Sequence, residues 1–269
     1  MNQTSAFTLL RFQFRKLGDL RFISHHDLMR LVERLLRRAA LPFRSTEGFH
    51  PKPKITFASA LSLGIIGLAE ILDIEFAGQH DPQDVLQKMQ AHSPSPEFQI
   101  VSVQPLAARK PAQVVSMTYR FGAVPDVRWP QISGRMQQMM QEAEVWVERS
   151  KVRAQASLPQ AEGEERLDQL PPMQTEKRSS TKATKRFNLR SSLAQLSRAE
   201  RFLDMVFQVT PSGTARPEEV LHLLGLHDLF LNGQADLIRT HLQLKEDADA
   251  HVPVAEATDT AFCVEAASP

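Results

Sequence analysis

His25, His26 and Asp27 stand side by side, and Arg30, Arg34, Arg37 and Arg38 follow within eleven residues. Arg44, Phe49, His50, Lys52 and Lys54 come soon after. Two kinds of chemistry are open to this set. An imidazole beside a carboxylate can move protons, which makes His25 and Asp27 an acid–base candidate. Clustered guanidinium and ammonium groups grip phosphates and release counterions, while an aromatic ring stacks on an unpaired base. Between Arg11 and Lys54 there are eleven Lys/Arg and four Asp/Glu, an excess of seven, although the 269-residue chain as a whole carries a formal net charge of only +1.

The elements that position these residues follow from periodicity. "TLLRFQFRK" alternates and predicts a strand with Leu10, Phe12 and Phe14 on one face. Ser24 is placed as an N-cap with Asp27 three residues on, which also gives Asp27 a purely structural reading. Leu28, Leu31, Val32, Leu35 and Ala39 form a helical apolar stripe that ends before Pro42. The arginines lie off that stripe. Arg30/Arg34 and Arg34/Arg38 are like-charged i, i+4 pairs that Glu33 does not fully relieve. A solvated helix face and a polyanion site both fit. The continuation of cations through Arg44, Lys52 and Lys54 favours RNA. In "EGFHPKPKITF" two prolines and Gly48 hold a loop that presents His50 and Lys52 beside Phe49.

"KITFA" and "LAEILDIEFA" read as strands, "DPQDVLQKMQAH" as a helix capped by Asp81, and "FQIVSVQPL" as a strand. Strand, helix, strand, strand, helix, strand is the ferredoxin-like order. The same order recurs in "VSMTYRFGA", "QISGRMQQMMQEAEVW", "VWVERSKV", "RFLDMVFQV", "RPEEVLHLLGL" and "IRTHLQL". The expected architecture is α+β, two tandem ferredoxin-like units at residues 7–107 and 113–245, consistent with an internal duplication. A flexible insertion is expected at 155–186 and a disordered acidic tail at 246–269. In "PSGTARPEE", Gly213, Thr214 and Arg216 lead into a helix start and form a candidate phosphate site, opposed by Glu218 and Glu219.

Several classes are disfavoured. One cysteine, Cys263, permits neither an internal disulfide nor a cysteine-built metal cluster. Adjacent histidines seldom share a metal, so no metal and no cofactor is expected. "GIIG" at 64–67 is a weak match to an RNA-clamping loop, and no Walker loop, GxGxxG or GxSxG occurs. No run is long enough for a membrane helix, so a cytoplasmic protein is expected.

The block Arg11–Gly64, "RFQFRKLGDLRFISHHDLMRLVERLLRRAALPFRSTEGFHPKPKITFASALSLG", with "AEILDIEF", "SGTARPEEVLHLLGL" and "RTHLQL", resembles the radical-SAM-linked protein family, a bacterial domain of unknown function. Ser24, His25, Asp27, Arg30, Gly48, Phe49, Pro51 and Pro53 keep the family pattern. His26 stands where Leu is usual and Lys52 where His is usual, so no role for that family histidine carries over. Members are fused to or encoded beside radical SAM proteins, which implies such a protein as a partner in trans, because this chain lacks the CxxxCxxC motif. The expected function is an RNA-binding accessory protein that presents tRNA or rRNA to that partner. An enzyme using Asp27 and His25, and an interaction module for an acidic protein, are the alternatives.

Overall fold

The computed structural model describes residues 7–108, 110–150 and 184–245. The acidic tail and all but the last few residues of the expected insertion lie outside them. The protein is mixed α+β, with one large, mostly antiparallel sheet and helices packed on it.

In the first half, β1 (Phe7–Lys16) leads to α1 (His25–Arg38), β2 (Ile55–Phe57), β3 (Ile65–Ala77), α2 (Pro82–Ala91) and β4 (Phe98–Pro105). The second half contains β5 (Val114–Gly122), α3 (Trp129–Gln141), β6 (Trp146–Ser150), β7 (Thr184–Asn188), β8 (Leu193–Ala199), β9 (Phe202–Gln208), α4 (Pro217–Leu224), α5 (His227–Leu231) and β10 (Asp236–Leu244). The main sheet runs β4-β1-β3-β10-β5-β9-β8, with β2 paired to the far end of β3. Every pairing is antiparallel except that of β3 with β10, which is parallel over Ile65–Gly67 and Leu237–Arg239. β6 and β7 pair only with each other.

The expectation that "VWVERSKV" joins the main sheet is therefore corrected. Its place belongs to β8, where a register shift between Leu193 and Gln195 breaks the alternation that marks a strand in sequence. "GIIG" is also resolved: Ile65, Ile66 and Gly67 are the first residues of β3, already hydrogen-bonded in the sheet.

Strand alternation sorts the faces. Leu10, Phe12 and Phe14 of β1 and Leu72, Ile74 and Phe76 of β3 meet Leu28, Leu31, Val32, Leu35 and Leu36 of α1 in one core. Phe12 and Phe76 pack edge to face at 6.2 Å. The other face of the sheet carries cross-strand ion pairs: Arg11 donates to both oxygens of Asp73, and Arg120 to both of Asp204. A second core joins β5, β9 and β10 to α3, α4 and α5 through Trp129, Ile132, Leu221 and Leu237. Among the described residues no helix is long and apolar enough to cross a membrane.

Candidate functional site

α1 begins as its sequence requires. The Ser24 hydroxyl accepts from the Asp27 amide at 3.2 Å and donates to the Asp27 carboxylate at 2.7 Å. Arg30 reaches the same carboxylate at 3.4 Å. The Ser24 hydrogen bond first, then Arg30, holds the Asp27 carboxyl below its usual range. Asp27 makes no hydrogen bond to His25, whose ring turns inward against Phe57 at 5.0 Å. The pair is thus not assembled as an acid and a base; Asp27 serves the helix end. Ser24→Ala is expected to cost about 1 kcal/mol in urea unfolding, and a cost near zero would leave the cap without a stabilising role.

Arg30, Arg34, Arg37 and Arg38 are all exposed on the side of α1 away from the core. Arg37 is paired to Glu33 at 2.8 Å and stacks over Phe43 at 5.2 Å. Arg34 and Arg38 form no ion pair among the described residues. After α1 the chain crosses to the end of β3 and turns out as a narrow ribbon: Phe43 bridges Phe76, Ser45 bridges Pro53, and the Thr46 amide donates to the Lys52 carbonyl at 2.8 Å. Gly48 at the tip has φ 126°, a conformation L side chains rarely adopt. Phe49 is wholly solvent-exposed, and His50 and Lys52 are exposed beside it.

Arg44 and Lys54 are separated from this surface. Phe43 and Ile55 point into the α1 core, so their neighbours Arg44 and Lys54 project from the other face of the sheet. There Arg44 pairs with Glu75 at 3.4 Å and lies over Phe7, while Lys54 lines a groove with Asp73 and Glu75. The run of cations expected to act as one is split by the sheet, because residues alternate between faces along an extended chain.

Gly213, Thr214 and Arg216 are brought together at the start of α4, but a carboxylate already holds that end. Glu219 accepts from the Arg216 amide at 2.9 Å and takes a two-pronged hydrogen bond from Arg149 at 2.6 and 2.7 Å. Arg149 also donates to the Thr214 carbonyl. An arriving phosphate would have to displace Glu219 and sit beside Glu218, so this helix start is closed by its own side chains.

A charged cleft that sequence reasoning missed lies where β1, β3 and β10 run side by side. Its floor is Lys16 and Glu70, both almost fully buried, and its outer side is the part-exposed His25, Phe57 and Ser59. The Arg239 guanidinium closes the network behind it. It donates to both Glu70 oxygens, to the Ala60 carbonyl at 3.0 Å, to the Ser59 hydroxyl at 3.3 Å and to the Tyr119 hydroxyl at 3.4 Å. Burial alone would lower the Arg239 pKa, but the Glu70 charge and hydrogen bonds, helped by Tyr119, leave it above its ordinary value. Burial lowers the Lys16 pKa, with Glu70 opposing and Arg239 adding to the effect. Burial, then His26 and Lys16, holds the His25 ring below its usual value. The signal was present in the strands: Lys16 continues the buried series Leu10, Phe12, Phe14, and Glu70 continues Leu72, Ile74, Phe76 toward the other end. Among the described residues no group of three or more His, Cys, Asp or Glu is gathered that would hold a metal.

Comparison with known proteins relates the chain to a family without assigning it an activity. No curated protein matches the chain. A solved structure described as that of an unknown protein from Galdieria sulphuraria is 10% identical, with 89% of this chain and 99% of that one covered and a TM-score of 0.24. A family model described as an uncharacterized protein conserved in bacteria (DUF2344) matches residues 9–162, more than half of the chain, from the third residue of β1 through β6. The chain therefore belongs to that bacterial family, DUF2344.

Proposed function

We propose that the protein is a non-catalytic RNA-binding accessory factor whose contact surface is the outer side of α1 and the ribbon that follows it. The observation that carries the reading is the pair Arg34 and Arg38, exposed and without a carboxylate partner among the described residues, flanked by Arg30 and Arg37. Like charges four residues apart weaken an isolated helix, and phosphates relieve that repulsion. Phe49 offers a stacking face to an unpaired base, with His50 and Lys52 beside it for backbone contacts. Arg44 and Lys54 take no part in this surface. The RNA would be a tRNA or rRNA, and the resemblance to radical-SAM-linked proteins supplies the enzyme to which it would be presented in the cytoplasm. The repeated strand order of the two halves supports reading them as two ferredoxin-like units derived from one by duplication.

Filter binding to mixed tRNA across a salt series tests the surface. Each lost phosphate contact reduces the slope of log affinity against log salt by about 0.7–0.9. Arg34→Glu with Arg38→Glu is expected to weaken binding at least tenfold and flatten the slope by about two contacts' worth, with the circular dichroism spectrum unchanged. An unaltered slope in a folded double variant would remove α1 from the contact surface. Absence of any salt-dependent binding by the wild-type chain would end the reading.

A further inference from the structure

The geometry points to a second ligand site, apart from the arginine face: the cleft between the first turn of α1 and the adjoining strands β1, β3 and β10. There Lys16 would hold one oxygen of a small oxyanion, a carboxylate or a phosphate monoester, and His25 and Ser59 the oxygens that remain outside.

The charges at the cleft do not cancel. Two cations, Lys16 and Arg239, are each only 1% exposed, and one buried carboxylate, Glu70, stands between them. Arg239 engages both Glu70 oxygens, which leaves Lys16 without an ion-pair partner among the described residues. The Lys16 ammonium is instead held by the carbonyls of Arg21 at 3.4 Å and Ile23 at 3.2 Å, both long contacts for a charged donor. Two carbonyls occupy two of its three N–H groups, and the third remains for a ligand. Burying an ammonium this way opposes folding, and such arrangements concentrate where a protein needs the charge for binding or chemistry.

The space and the surroundings suit an oxyanion. The free interior is about 10 Å³, room for one oxygen atom and not for a whole ligand. Phe14 and Phe57 wall it with apolar surface, so a charge entering it is poorly screened. His25 and Ser59 stand on the outer side, toward the remaining oxygens of the same group; the Ser59 hydroxyl accepts from Arg239 and donates to the Ala60 carbonyl at 3.2 Å, so it would turn from Ala60 to reach a ligand. His25, the first residue of the fourteen-residue α1, lines the cleft, so the positive end of that helix lies beside it. Glu70 also faces the cleft, but the Arg239 fork neutralises it. The other charges near His25 are His26 and Lys16, both of which disfavour its protonation, and Asp27, which is turned to Ser24 and Arg30.

An anion seated against Lys16 would reverse the influence on His25. The test follows the His25 ring proton by NMR across a pH titration of the full chain, with acetate, methyl phosphate or sodium chloride at matched ionic strength. Acetate or methyl phosphate is expected to raise the His25 pKa saturably by about one unit, while chloride produces no such change. Response to acetate alone marks a carboxylate ligand; response to methyl phosphate alone marks a phosphate. Lys16→Met should abolish the response without loss of thermal stability, and should leave tRNA binding intact. Ser59→Ala, on the outer side, should weaken the response severalfold and serves if the lysine variant does not fold. A chloride effect as large as that of the oxyanions, no saturable change with either of them, or a full response in Lys16→Met would overturn the assignment. A water alone would then occupy the cleft.

Discussion

Arg239→Met is expected to lower the unfolding free energy by about 3–5 kcal/mol, because it leaves a buried carboxylate without its partner. Glu70 is nearly inaccessible and receives both of its close charge-assisted hydrogen bonds from Arg239. The same substitution removes the donors to the Ala60 carbonyl and the Tyr119 hydroxyl. Lys16 lies near enough to feel the Glu70 charge but is not bonded to it, so it offsets only part of the loss. Replacing both partners, Arg239→Met with Glu70→Leu, should recover most of the stability, since the desolvation cost of two ions disappears with them. Urea titrations of the three variants decide the point. A single variant that loses less than about 1 kcal/mol would place this pair with ordinary surface bridges.

Gly67→Ala should cost about 2–4 kcal/mol, the next largest effect, by crowding a group that has nowhere cheap to move. A Cβ at Gly67 would lie 2.6 Å from Glu70 Cγ and 2.8 Å from its Oε1. Glu70 folds back over Gly67 to meet Arg239, whose backbone is the register partner of Gly67 across β3 and β10. A flexible glutamate on a surface would swing away; here both its oxygens are held. The effect is therefore expected to vanish largely when combined with Arg239→Met, a departure from additivity of at least about 1 kcal/mol. Fully additive losses would mean that the methyl group strains the strand backbone instead.

Local rules carried the first half well. Alternation in β1, the Leu stripe of α1 and the Ser24 and Asp81 caps appear where the side chains require them, while β3 starts at Ile65, three residues before its expected first residue Leu68. Reading failed where an element is irregular or its partner is distant. β8 has a bulge and lies at the sheet edge, so Leu193 and Leu196 give no period of two. β7 has one buried residue, Phe187, fixed by Arg149 stacked 3.8 Å above its ring. The site was harder still. Pattern showed that Arg30, Arg34, Arg37 and Arg38 share a helix face, but not that the sheet passes between them and Arg44 and Lys54. Nor could it bring Lys16, Glu70 and Arg239 together, since Glu70 and Arg239 are 169 residues apart and meet only through the parallel pairing.

That parallel pairing has a mechanical meaning. Three residue pairs, Ile65 with Leu237, Ile66 with Ile238 and Gly67 with Arg239, make up the backbone register of β3 on β10, reinforced by the Arg239–Glu70 ion pair, whereas β1 and β3 are matched along nine. Pulled apart, the molecule should part along this line before either half unravels, as a perforated sheet tears at its holes. Amide exchange should accordingly report two separately opening blocks, with the lysine cleft lying on the tear.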